Sequence, residues 1–366
     1  MKTYSKTTAL TQTDPLTLQV FHEQALFFDI ETTGFSARHH QVYLIGCAFR
    51  QGEAITVCQY FAETPAEEPA LLCAFLARAA AFSSTISFNG LGFDLPFLAQ
   101  RCSLLHLDSP LPDMLHVDLF RLLSPFRSIF KLEDMKQKTL EQFLGLTRKD
   151  ACSGGELINV YRAYCQAPGE EALSLMLLHN YEDVLGMPQL LPLLSYAEFF
   201  QGNFTVSSRT EHPYRDYEGA PALELILLLV PAFPLPRRIS CGVDEIYLSG
   251  SGAELRLRAR LYQGELKYFY SNYKDYYYLP QEDVAIHKSV AFYVDKDFRT
   301  QAKAATCYSK KSGRFLPQYN DRFSPYFKLE YHDKISYIEM DEDFISSPTL
   351  QKEYALHLLQ VLSGRA

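Results

Sequence analysis

At 366 residues, with 47% apolar residues, 26 phenylalanines and 24 tyrosines, the chain is long for one domain and sufficient for two with real cores. Its net charge of −8 lies wholly in residues 1–204, where 14 Lys/Arg face 22 Asp/Glu, so the balanced remainder does not exclude an anionic partner. No apolar run reaches membrane-spanning length, the first 20 residues lack an apolar leader core, and eight cysteines lie scattered without a Cys-x-x-Cys pair; the expectation is a cytoplasmic, reduced protein without a zinc site.

Residues 1–21 read as an irregular, polar lead-in. Ala25–Ile30, Val42–Phe49 and Ile55–Tyr60 then read as three strands at meander spacing. Pro69–Phe82 is rich in Ala and Leu, with Glu67 and Glu68 near its start, where a helix dipole favours negative charge. Thr85–Phe88 is a short apolar strand running into Asn89-Gly90, and Phe93–Leu105 has helical periodicity. Leu115–Leu119 is a further strand. From about Leu119 to Phe199 the pattern is helical, broken near Pro125, Asp150–Gly155 and Pro168-Gly169. Strands alternating with helices in this order predict an α/β domain with a mixed sheet.

After Phe204 the texture changes. Glu254–Leu261 alternates strictly, as a strand with one wet face does. Lys267–Tyr278 is dense in Tyr and Phe, which reads as a packed strand. Pro280–Asp295 reads as a helix with Pro in its first turn. Ala302–Tyr308 and Phe315–Gln318 flank Lys310-Lys311-Ser312-Gly313, read as a hairpin turn. Ser347-Pro348 begins a final amphipathic helix to about Leu362.

The chemistry is concentrated in acidic positions. Phe28-Asp29-Ile30-Glu31-Thr32-Thr33-Gly34 ends an apolar strand, and alternation turns Asp29 and Glu31 to one side and Ile30 to the other. Two carboxylates so close repel, and a hard divalent cation such as magnesium or manganese makes the pairing favourable. Asp94 follows the turn Asn89-Gly90-Leu91-Gly92 at the start of the next helix, where an aspartate also serves as an ordinary first-turn residue. His179 and Asp183 are four apart and share a helix face, whereas Tyr181 lies about 200° round from Asp183.

Together these segments resemble the three blocks of the DEDD (DnaQ-like) 3′–5′ exonucleases of the ribonuclease-H-like superfamily. His116-Val117-Asp118-Leu119-Phe120 looks like the strand after the second block, and Lys138–Leu146 like the helix before the third. Arg148-Lys149-Asp150, Gly154-Gly155, Tyr161 and His179-Asn180-x-x-Asp183-Val184 are similar to a bacterial subgroup of ribonuclease-H-like domain proteins. The resemblance spans about residues 22–200. It implies a ribonuclease-H-like mixed sheet flanked by helices over 22–204; the change of composition and texture, not the resemblance, sets apart an α+β, strand-rich domain of unassigned fold over 205–366. It further implies Asp29, Glu31, Asp94 and Asp183 as ligands of two Mg2+ or Mn2+ ions. The family's base is a Tyr four residues, or a His five, before the last Asp; this chain has a His at minus four, and with Tyr181 turned away, His179 is the expected base.

The expected reaction is metal-dependent 3′–5′ hydrolysis of DNA or RNA, with a single-stranded 3′ end as substrate. A ribonuclease-H-like endonuclease and a non-catalytic nucleic-acid-binding module are the alternatives. Thr32, Thr33, Gly34 and Asn89, next to the acidic positions, would approach the terminal nucleotide. Residues 296–328 carry eight basic residues against two acidic ones, interleaved with Tyr308, Phe315 and Tyr319. Lys310, Lys311 and Arg314 would there attract phosphates, while a solvated basic edge strand is the equal alternative.

Overall fold

The computed structural model describes residues 1–364 apart from Ala151, Ser153 and Tyr217. The chain forms two compact units, Met1–Ala197 with Leu235–Arg237 and Glu198–Pro234 with Arg238–Ala366. Among the described residues no helix is long and apolar enough to cross a membrane.

The first unit contains β1 (Lys2–Ala9), α1 (Pro15–Val20), β2 (Ala25–Thr32), β3 (Val42–Gln51), β4 (Ala54–Phe61), α2 (Glu68–Ala79), β5 (Ser84–Ser87), α3 (Asp94–Leu105), β6 (Leu115–Asp118), α4 (Leu119–Leu123), α5 (Arg127–Phe130), α6 (Gln137–Leu144), α7 (Gly154–Gln166), α8 (Glu170–Leu190) and the start of α9 (Leu194–Phe200). Its sheet runs β1-β4-β3-β2-β5-β6, antiparallel from β1 to β2 and parallel from β2 to β6. This is the expected mixed sheet of a ribonuclease-H-like core. A two-residue turn joins β3 to β4, with Gly52 at φ +60°.

Residues 1–21 are not irregular. Lys2–Ala9 pairs with Phe61–Ala54 along its whole length as the edge of the sheet, and Pro15–Val20 is a helix capped by Asp14. No residue of β1 is buried, so its polar composition carries no core signal; the partner strand makes it a strand.

The central strand β2 separates two cores. Leu26, Phe28 and Ile30 pack with Leu71 and Phe75 of α2 and Phe97 and Leu98 of α3. Each such fully buried Phe contributes about 1.5–3 kcal/mol. On the opposite face Tyr43, Leu44 and Phe61 meet Leu157 and Tyr161 of α7 and Met176 of α8. Asp29 and Glu31, alternating with Ile30, turn to this α8 side. A buried ion pair braces the first core: Arg101 of α3 donates to both oxygens of Glu68 on α2 at 2.8 and 2.5 Å, and the Val42 amide reaches Glu68 at 2.9 Å. Its remaining guanidinium nitrogen bonds the Ala37 carbonyl at 3.0 Å, fixing the loop that leaves β2.

The second unit is strand-rich. β7 (Phe204–Arg215), β8 (Pro221–Pro231), β9 (Leu235–Val243), β10 (Ile246–Gly252), β11 (Glu254–Phe269), β15 (Tyr308–Tyr319) and β16 (Ile335–Glu339) form one seven-stranded sheet; β12 (Tyr276–Leu279), β13 (Val284–His287) and β14 (Thr300–Gln301) form a small one. Three expectations fail here. Lys267–Tyr278 is not one packed strand: β11 ends at Phe269, Tyr273–Asp275 is a 3-10 turn, and Tyr276 begins β12. Pro280–Asp295 is not a helix, because Val284–His287 pairs with β12 and only the short α10 (Lys288–Ala291) follows. Lys310–Gly313 is no turn but the middle of β15, where Gly313 lies opposite Gly264 and both lysines pair across to β11. Glycines opposed in a ladder look like a turn locally and act as a close approach of two strands. After α11 (Glu342–Ser346), the final helix α12 (Pro348–Leu362) is as expected, with the Ser347 hydroxyl accepting from the Leu350 amide.

Candidate metal centre

The side chains of Asp29 and Glu31 leave β2 toward α8. Helix α8 comes close because the residue opposite Asp29 on β3 is Gly46: a Cβ there would lie 2.2 Å from the Asn180 oxygen and 2.7 Å from Val184. Asn180 is wholly buried, donates to Asp29 Oδ2 at 3.1 Å, and accepts from Gln59 of β4 at 2.9 Å. The helix is therefore seated on the sheet by the same residue that holds the first carboxylate.

Asp94 arrives from the other neighbour of β2. The Asn89–Gly92 turn is gathered by Asp118, which accepts from the Asn89 and Leu91 amides at 3.0 and 3.1 Å. Asn89 adopts φ +63°, a left-handed conformation that Asn tolerates well. The turn starts α3 at Asp94, whose Oδ1 accepts from the Ile30 amide at 3.2 Å, between the two acidic residues of β2.

On α8, His179 Nε2 lies 3.1 Å from Asp183 Oδ2 and 3.5 Å from Glu31 Oε1, and its Nδ1 lies 2.7 Å from Asp150. One ligand atom each from Glu31, His179 and Asp183 falls within 4.8 Å of the others, a candidate metal-coordinating cluster. Tyr181 is elsewhere, its ring 5.1 Å from Lys6 Nζ on β1. The structure thus brings Asp29, Glu31, Asp94, His179 and Asp183 to one place.

The electrostatics are those of a crowded anionic pocket. Burial, then the charges of Asp183, Asp94 and Glu31, push the Asp29 carboxyl well above the usual carboxylate range against the Asn180 hydrogen bond. Burial, then Asp183 and Asp94, do the same to Glu31. Asp94 is pushed up to about 7, by burial above all, against the Ile30 amide. The Tyr43 hydroxyl, buried beside this pocket in the field of Glu31, has no hydrogen-bond partner among the described residues. Oxygen donors with one imidazole, under mutual repulsion, fit a hard divalent cation.

Several residues that frame the pocket had no role assigned from sequence, Lys138, Arg148 and Asp150 entering only as part of the resemblance. Arg148 forks between both oxygens of buried Glu141 and Oδ1 of Asp183. Gln137 donates to the Asp183 carbonyl at 2.7 Å and to Glu141 at 3.0 Å. Lys138 holds Asp150 at 2.8 Å. No local periodicity marks this set; the partners come from α6, α8 and the loop after α6.

The expected nucleic-acid contacts fall into two groups. Thr32 is buried and donates to the Gly34 carbonyl at 2.8 Å; the Thr33 amide donates to the Gln41 carbonyl at 2.9 Å while its hydroxyl accepts from the Gln41 amide at 3.0 Å, and a Cβ on Gly34 would strike the His40 ring. Next to them Phe35, also passed over, is 81% exposed with its ring 6.4 Å from Phe93. Asn89 lines a cavity of about 650 Å³ with Phe88, Phe120, Met135 and Gln137, the last being the residue on the Asp183 carbonyl. In the second unit Lys310 pairs with Asp283 at 2.6 Å and Glu265 at 3.5 Å, Lys311 with Glu339 at 2.5 Å, and Arg314 with Glu211. Each expected phosphate-binding cation already has a carboxylate.

Residues 26–195 match the RNase_H_2 family of the RNase_H superfamily. They form a ribonuclease-H-like domain. No curated protein matches the chain. Among solved structures, the family B DNA polymerase of the archaeon Pyrobaculum calidifontis is similar at 12% identity and TM-score 0.38, over 69% of this chain and 35% of the polymerase. An exonuclease I–SSB-Ct complex is similar at 14% identity and TM-score 0.27, over 57% of this chain and 55% of that one. The zinc-bound E. coli exonuclease I–ssDNA complex is similar at 12% identity and TM-score 0.28, over 56% and 54%. The chain thus spans about a third to just over half of these proteins.

Proposed function

We propose that residues 22–204 are a metal-dependent 3′–5′ exonuclease domain hydrolysing phosphodiester bonds of DNA or RNA. One observation carries this reading: carboxylates from β2, α3 and α8, and an imidazole from α8, meet in a pocket where burial and mutual repulsion raise the Asp29, Glu31 and Asp94 carboxyls, with Arg148 shared between Asp183 and Glu141. Asp29, Glu31, Asp94 and Asp183 would hold a pair of Mg2+ or Mn2+ ions. When bound, such ions lower the pKa of an attacking water and hold the leaving oxygen.

The remaining work belongs to the chain. His179 Nε2 faces Glu31 and Asp183, where it can take a proton from water. Thr32–Gly34 and Asn89 lie in the segments that carry Glu31 and Asp94, and would seat the strand end beside them. The cavity floored by Phe88, Phe120 and Met135 suits an unstacked base, with the amides of Asn89 and Gln137 at its edge. Phosphate contacts from Lys310, Lys311 and Arg314 would first have to break ion pairs, so the strand end is assigned to the N-terminal unit alone.

Matched single- and double-stranded DNA and RNA, labelled at the 3′ end and incubated with Mn2+, Mg2+ or chelator, test this. Release of labelled mononucleotide, dependent on metal, is the expected result. Internal fragments would instead make the domain a ribonuclease-H-like endonuclease. Strand binding with no cleavage and no heat of Mg2+ or Mn2+ binding would make it a non-catalytic module.

A further inference from the structure

One enclosed carboxylate beside the centre has no part in the scheme above. Asp150 has a side chain with 0% exposure and lies between α6 and α7. Its Oδ2 accepts from Lys138 Nζ at 2.8 Å and lies 2.7 Å from His179 Nδ1, and its Oδ1 accepts from the Cys152 amide at 2.9 Å. The Asp150 amide in turn donates to Glu182 of α8 at 2.8 Å, one residue before Asp183. Asp150 is thereby fixed relative to the helix that carries His179.

A carboxylate held by these donors only accepts, so the hydrogen between the two side chains must sit on Nδ1 of the imidazole. The ring is then locked in plane, and its other nitrogen is the one turned to Glu31 and Asp183. A ring freed of this contact can rotate about its χ2 angle and carry its hydrogen on either nitrogen. The geometry points to Asp150 as a positioning residue that places the Nδ1–H and aims Nε2 of His179 at the carboxylate cluster. The use made of Nε2 rests on the proposed nuclease function; the orientation of the ring does not.

Long-range 1H–15N spectra of 15N-histidine-labelled full-length protein, with His179→Gln for assignment, test this with and without Mg2+. The wild type is expected to show an exchange-protected hydrogen on His179 Nδ1 in both conditions. Lys138→Met, which removes only the other partner of Oδ2, should keep it. Asp150→Ala should lose it. In strand digestion, Asp150→Ala should lower kcat by about 10–100-fold with KM unchanged, and Asp150→Asn, whose NH2 can donate to Nδ1 and impose the other tautomer, should recover little of the loss. A wild-type Nδ1 without hydrogen overturns the proposal, as does Asp150→Ala protein that keeps both resonance and kcat. The wild-type spectrum decides by itself if Asp150→Ala does not fold. A protected Nδ1–H in a protein without phosphodiesterase activity keeps the positioning and removes the nuclease reading.

Discussion

Gly46 and Asn180 lie so close that a Cβ at position 46 would sit 2.2 Å from the Asn180 side-chain oxygen. That contact lets one helix hand its polar side chains to Asp29. Gly46→Ala must push Asn180 away from Asp29 and Gln59, and overpacking of this kind costs about 1–3 kcal/mol. Urea denaturation should show that loss, and calorimetric titration should show weaker Mn2+ binding. Gly155→Ala, with open space around its Cβ, should change neither.

Asp29→Asn should abolish metal-dependent cleavage and leave the fold intact. Removing one charge from a crowded buried set relieves repulsion, so its melting temperature in chelator should equal or exceed that of the wild type. Saturating Mn2+ should stabilise the wild type by about 2.7 kcal/mol at a hundredfold excess over Kd. The variant should show much less of this gain. Retained cleavage in a clean preparation would remove Asp29 from the centre.

Arg148→Met leaves Glu141, 2% exposed, as a buried charge without its partner. Losing one member of a buried pair costs about 3–5 kcal/mol. The double variant Arg148→Met/Glu141→Gln should recover most of that stability, measured as a double-mutant cycle. An additive double variant would mean the two side chains do not act as a pair.

Assigning the strand end to the cavity near Asp183 separates two sets of variants. Phe120→Ala removes a wall of the cavity, and the loss of a stacked base is worth about 1–3 kcal/mol, so KM for single strands should rise about tenfold. Lys310→Ala and Lys311→Ala, which remove already paired charges, should change it less than about twofold. The opposite ranking would move the strand to the second unit.

His357 of α12 accepts the Tyr319 amide at 3.0 Å and is held neutral, its pKa lowered to about 4 by burial and then by the Arg322 charge. A histidine lowered in the folded state contributes stability that is complete above its unfolded value near 6.5. That contribution, on the order of 3 kcal/mol, is lost as pH falls from about 6.5 toward 4. Denaturation at pH 7.5 and 5 should show a drop in the wild type that His357→Gln lacks.

The legible parts of this fold were those where local pattern and tertiary role agree. Alternation in Phe28–Glu31 foretold which side each residue takes, and Ser347-Pro348 marked a helix start that a hydroxyl does cap. Lys2–Ala9 was opaque because an edge strand with no buried residue, only Tyr4 and Thr8 being half-buried, has too weak a pattern of its own. Lys310–Gly313 misled because the glycine serves a partner strand rather than a turn. In the centre, acidic residues beside strand ends and on a helix face could be picked out singly. Asn180, Asp150 and Arg148 stood in the motif resemblance without a role, since their roles lie in contacts with Gly46, His179 and Asp183, each at least 29 residues away.

His179, Asn180 and Asp183 all ride on α8, so their backbone positions shift together. A slip of that helix by one turn, about 5.4 Å, would carry all three off station at once. Partial versions of the constellation are therefore inaccessible by sliding, and a slip of the helix as a whole should cost ion occupancy while the rest of the unit stays folded.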